Sequence, residues 1–254
     1  MESSRFLTCL ADDYARLRDA TARDLSAAVP NCSGWTAADL AYHVAAVYLH
    51  KVEAMRQRRF PDPWAPDLSG EAPVAVLERA YGGLTAEFAA RAPASPAWTF
   101  YPPEQTVRFW IRRMAQETVI HRVDAEQAQG LRVTPIPADL AVDGIDEVLV
   151  IFLGYGSTRW PGEFEPELKD TTGAEVEVRT HEGGRWLVRV APDGIDVRIP
   201  ALDERGGQPA ASVSGSADLL LRWLWGRAGD DAVSVGGDPE AVANLRRMLV
   251  VATQ

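Results

Sequence analysis

Residues 106–130, TVRFWIRRMAQETVIHRVDAEQAQG, decide how the first half of the chain is read. Trp110, Met114, Glu117, His121 and Ala128 recur at helical spacing on one stripe, which predicts a helix over about 106–129 that stops at Gly130. Glu117 and His121 occupy places where the pattern asks for Leu or Val. A separation of four residues, at about 100° each, sets the two side chains within about 40° of each other and one turn apart. A buried carboxylate without a partner costs several kcal/mol, so something must compensate Glu117.

Three further helices are expected around this one. The first runs from about Ser4 to Ala28 and stops before Val29-Pro30, because a residue preceding proline avoids helical geometry. The second starts at Thr36, a capping residue with Asp39 at the third helical position and Trp35 and Leu40 placed as a hydrophobic staple. Its apolar stripe is Leu40, Val44 and Val47, and His43 interrupts it. His50, seven residues on, returns to the same side. The third helix is expected from about Val74 to Ala90, between the proline-rich loops at 58–73 and 92–105.

After a shorter helical segment at 138–155 the period changes from about 3.6 to 2, which marks a new domain type. GAEVEVRTHEGGRWLVRVAPDGIDVRIP, 173–200, alternates apolar and polar residues around Gly183-Gly184 and Asp193-Gly194 and predicts a three-stranded antiparallel meander. Helices follow at 214–229 and 238–252, the last with Asp238 as cap and Pro239 at its first position. The predicted fold is a four-helix bundle over 1–155 followed by a small α+β domain with an antiparallel sheet over 156–254.

Composition narrows the function. The chain has 254 residues, 46% hydrophobic and 24% charged, with a net charge of −10 from 26 basic and 36 acidic side chains. Without a basic run interleaved with aromatics, nucleic acid and anionic membrane are poor partners. No segment approaches the roughly 18 apolar residues of a membrane span, and the charged N-terminus lacks a signal-peptide pattern. Two cysteines, Cys9 and Cys32, make no disulfide framework. A cytoplasmic protein, monomeric or dimeric, is expected, and the predominance of Arg over Lys suggests a GC-rich bacterial genome.

His43, Glu117 and His121, from two facing helices, could supply three ligands to zinc and leave a fourth position open to water or substrate. Two readings stand side by side: a buried Glu-His pair joined only by hydrogen bonds, and a metal site, for which iron(II) suits two imidazoles and a carboxylate as well as zinc does. Asp124 could orient His121, although a surface pairing with a nearby arginine is the simpler reading. His181 sits at a hairpin turn and is expected in solvent. His50 is a candidate substrate contact or a helix-face residue reaching solvent. Cys32, with no basic neighbour in sequence, is expected to be inert.

VPNCSGWTAADLAYHVA (29–45), WIRRMAQETVIHRVDAE (110–126), SADLLLRWLWGR (216–227) and GGDPEAVANL (236–245) together resemble the mycothiol-dependent maleylpyruvate isomerase family over nearly the whole length. The resemblance implies a DinB-like N-terminal bundle that binds zinc or another divalent metal through His43, Glu117 and His121, and a C-terminal domain similar to sterol carrier proteins. It also implies mycothiol as cosubstrate and a small electrophile as substrate, either isomerised about a cis double bond or thiolated. A carrier of small apolar molecules with a structural metal is the rival reading. An acidic substrate would need a cation, for which Arg227 is the candidate. Many relatives carry His where this chain has Gln116.

Overall fold

Thr36 opens the second helix with a reciprocal cap: Asp39 N donates to Thr36 Oγ1 at 3.3 Å, and Thr36 N donates to Asp39 Oδ2 at 2.8 Å. Two donors that a helix start leaves unpaired are thereby satisfied, and the boundary is fixed by local chemistry. The computed structural model describes residues 1–62, 64, 66–68, 70–201 and 207–253, so part of the proline-rich loop expected at 58–73 lies outside the described residues.

The chain forms two compact units, Met1–Pro135 and Ile136–Gln254. The first contains α1 (Ser3–Thr21), α2 (Ala37–Gln57), α3 (Pro73–Ala89) and α4 (Val107–Ala128). The division falls well before the boundary suggested by the change of period, because the helical stretch 138–155 packs with the second unit's elements. Periodicity reports secondary structure, not the layer against which a helix is buried.

α4 packs chiefly on α1 and also on α2, while α2 packs on α3. Leu10, Leu17, Leu40, Tyr48, Leu77 and Trp110 are fully buried between them. α1 ends seven residues before the expected Ala28. There Asp24 Oδ1 accepts from Ser26 N at 2.9 Å and Ser26 Oγ at 2.6 Å, a local turn that competes with helical bonding. Arg122 of α4 is fully buried as well: its Nε donates to Asp13 Oδ1 of α1 at 3.0 Å and its Nη1 to Glu126 Oε2 at 2.9 Å. Glu126 in turn accepts from the Thr134 backbone N–H and hydroxyl, each at 2.8 Å, so one ion network ties α4 to α1 and to the end of the unit.

In the second unit α5 (Ala138–Asp146) runs into a π-helical segment, Glu147–Tyr155, then α6 (Gly156–Arg159) and α7 (Pro161–Leu168). The stretch at 160–173, which precedes the alternating pattern, is therefore largely helix. β1 (Glu175–Thr180), β2 (Arg185–Ala191) and β3 (Gly194–Arg198) form the expected antiparallel meander. The sheet is larger and mixed: its order is β3-β2-β1-β4-β5, with β4 (Ala211–Gly215) parallel to β1 and β5 (Ser234–Gly237) antiparallel to β4. ASVSG and SVGG are too short and glycine-rich to announce themselves by alternation.

α8 (Ala217–Leu224) begins at Ser216, whose Oγ accepts from Leu219 N, and α9 (Pro239–Thr253) packs on the sheet. Two glycines are fixed by close approach. A side chain at Gly154 would meet Val197 Cγ2 at 3.2 Å, and Gly237, at φ +79°, would collide with the Ala210 carbonyl if it carried a Cβ.

Candidate metal centre

α4 and α2 bring three ligand atoms together. His43 Nε2 and His121 Nε2 each lie 3.3 Å from the same oxygen, Glu117 Oε1, and one ligand atom from each residue falls within 4.8 Å of the others. The edge of a tetrahedron whose vertices stand about 2.0–2.2 Å from its centre is about 3.3–3.6 Å, so the two separations to Glu117 Oε1 match the edge of a tetrahedral metal site. The imidazole rings of His43 and His121 meet edge-on, with centroids 4.9 Å apart. The set is open on one side: the His43 side chain is 36% exposed, against 12% for Glu117 and 11% for His121.

The surrounding residues prepare each ligand. Arg113, one turn before Glu117 on α4, binds the other carboxylate oxygen, Oε2. Burial pushes the Glu117 pKa up, but the charge of Arg113 and then the bonds from His121 and His43 prevail and hold it well below the usual carboxylate value. Glu117 is therefore an anion with one oxygen committed and one directed at the imidazoles. For His121, burial opposes the charge, but Glu117 and Asp124 outweigh it and raise the pKa to about 9. Its Nδ1 lies 3.0 Å from Asp124 Oδ2, which holds the proton on that nitrogen and turns the Nε2 lone pair toward the shared point.

The model of the mycothiol maleylpyruvate isomerase N-terminal domain matches residues 7–126, and that of the MDMPI C-terminal domain matches 139–244. The chain belongs to the mycothiol-dependent maleylpyruvate isomerase family. A crystal structure of the mycothiol-dependent maleylpyruvate isomerase and one of its histidine-to-alanine mutant each share 18% identity with this chain, over 95% of it and 96% of theirs, with a TM-score of 0.63. Sterol carrier protein 2 from Yarrowia lipolytica aligns with 49% of this chain and 98% of its own, at 16% identity and a TM-score of 0.32. No curated sequence matches. Among the described residues no helix is long and apolar enough to cross a membrane.

Within this family member the remaining candidates fall in different places. Asp124 is wholly buried on His121, not at the surface with an arginine: α4 is enclosed on that side, and Asn31 Nδ2 also reaches Asp124 Oδ1 at 3.5 Å. His50 is 5% exposed and does not reach solvent as a helix-face residue would, since Phe60 and Trp64 meet its ring at 5.1 and 4.6 Å. Arg227 belongs to the second unit. It is 8% exposed, follows Gly226 at φ +73°, and its Nη1 donates to the Trp225 carbonyl at 2.6 Å. His181 is exposed, as expected. Cys32 is partly buried, its Sγ 3.9 Å from Asp124 Oδ2, and an anion beside a thiol disfavours thiolate. Gln116 is 1% exposed.

Arg113 and Lys51 are the neighbours that sequence reasoning missed. Arg113 was legible as a cation at i−4 of a carboxylate on a core stripe. Lys51 carried no such signal.

Proposed function

We propose that this protein is a zinc enzyme that uses a low-molecular-weight thiol, mycothiol, to isomerise or to thiolate a small electrophile. The observation that carries this is the pair of imidazole nitrogens 3.3 Å from one carboxylate oxygen, in a site open on the His43 side. Zinc there would supply the Lewis acid that stabilises a thiolate at neutral pH.

The chain's own residues do the rest. Arg113 keeps Glu117 anionic and in one rotamer, Asp124 fixes the tautomer and ring orientation of His121, and His43 is the ligand nearest solvent. In the isomerisation the thiolate adds to one carbon of an activated cis double bond, forming a C–S bond and moving the electron pair onto the activating carbonyl. The former double bond, now single, rotates, and the returning electron pair expels the thiolate to leave the trans product. In the transfer a leaving group departs instead and the sulfur stays. Transfer is the favoured branch, because few members of so broad a family can share one catabolic substrate; a carboxylate contact from Arg227 and a substrate contact from His50 belong to this proposal.

The test measures metal content after purification without chelator, for wild type, His43→Ala and Glu117→Ala, and then turnover of mycothiol with a maleyl compound. Stoichiometric zinc lost in both variants, with thiol-dependent turnover only in wild type, is the expected outcome. A wild type without stoichiometric metal overturns the site. Metal without any thiol-dependent rate overturns the enzyme reading in favour of a binding protein.

A further inference from the structure

Lys51 is a cation set among aromatic rings in the bundle. Lys51, on α2 two turns beyond His43, is partly buried, and its Nζ contacts an imidazole and an indole: His50 Nδ1 at 3.1 Å and the ring of Trp110, whose centroid is 5.0 Å away. Among the described residues no carboxylate lies within ion-pair distance of it. Arg113, the other cation whose charge acts on it, is committed to Glu117.

An ammonium has three donors, and one imidazole nitrogen and one aromatic face leave a partly desolvated Lys51 with capacity for an anion. Desolvation lowers the Lys51 pKa to about 8, opposed by Glu117 and assisted by Arg113, which places Lys51 in electrostatic reach of the ligand cluster. The surroundings suit a flat organic molecule: Trp98 lies 6.5 Å from Trp110, Phe60 lies 5.5 Å from Trp98, and Phe60 is 53% exposed, so the aromatic group reaches the surface. Charge points the same way. Glu117 and Asp124 balance Arg113 and Lys51, and a divalent ion would leave the group two positive, a surplus that one thiolate and one carboxylate cancel.

We propose that Lys51 receives a carboxylate of the substrate. The assignment takes the electrophile from the function proposed above, but the role of the charge is tested without turnover.

Binding of maleate and of its uncharged diamide, maleamide, is measured by calorimetry at pH 7 on zinc-loaded wild type, Lys51→Met and Lys51→Arg, with metal content checked in each. Lys51→Met should weaken maleate by about 10- to 100-fold, the worth of one charge-assisted hydrogen bond, leave maleamide unchanged, and be largely rescued by Lys51→Arg. The Met variant should unfold at or above the wild-type temperature, since it replaces a desolvated charge by an apolar chain. Maleate bound equally by Lys51→Met, or a wild type that does not prefer maleate to maleamide, overturns the proposal. If Lys51-dependent binding stands while thiol turnover is absent, the enzyme reading fails and the anion site remains.

Discussion

His121 Nδ1 stands 3.0 Å from Oδ2 of Asp124, a carboxylate with no exposed surface three residues further along the same helix. The contact decides which imidazole nitrogen faces the ligand cluster. Asp124→Asn keeps the shape but offers an amide in place of one carboxylate oxygen, so the tautomer is no longer imposed. Zinc affinity, measured by chelator competition, should fall about 10- to 100-fold. An unchanged affinity would reduce Asp124 to packing.

Zinc affinity should also depend on pH with a defined sign. In the metal-free protein His121 titrates at about 9, above the ordinary histidine value, so it carries a proton at neutral pH that the metal must displace. Apparent affinity should therefore rise with pH through neutrality and level off above about 9, with proton release on binding at pH 7 seen as a buffer-dependent enthalpy in calorimetry. Flat affinity from pH 6 to 9 contradicts this.

Arg113→Met leaves Glu117 buried with one oxygen uncompensated. The metal-free protein should lose about 3 kcal/mol, the cost of breaking one side of a buried pair, and added zinc should restore part of it by binding only the folded state. Thermal unfolding with and without metal gives the comparison. Equal losses in both conditions would mean that Arg113 acts independently of the ligands.

Asp13→Ala removes the α1 partner of Arg122, a guanidinium with no exposed surface. Denaturant unfolding should report a loss of about 3–5 kcal/mol, with zinc content per folded molecule unchanged, because this network lies apart from the ligands in its bonding. A coincident loss of metal would join the two networks.

Much of the bundle was legible because its signals are local. Thr36 and Asp39 cap each other across three residues, and the α4 stripe repeats within one helix, so both were read correctly from neighbours in sequence. The end of α1 was misplaced because the Asp24–Ser26 turn interrupts a stretch that propensity alone would continue. The meander was visible for the same local reason, whereas β4 pairs with β1 across more than thirty residues, and neither strand states its partner.

By itself, the sequence determined that Glu117 and His121 share a turn, that His43 breaks a core stripe on another helix, and that something must offset a buried carboxylate. The tertiary structure decided that both imidazole nitrogens meet one oxygen of Glu117, that Asp124 is an inward partner of His121, and that Lys51 lies among aromatic rings with no carboxylate of the described residues at ion-pair distance. The first group of facts follows from the 100° step of the helix. The second depends on how α2 and α4 are packed, a relation set by the whole core and carried by no single segment of the chain.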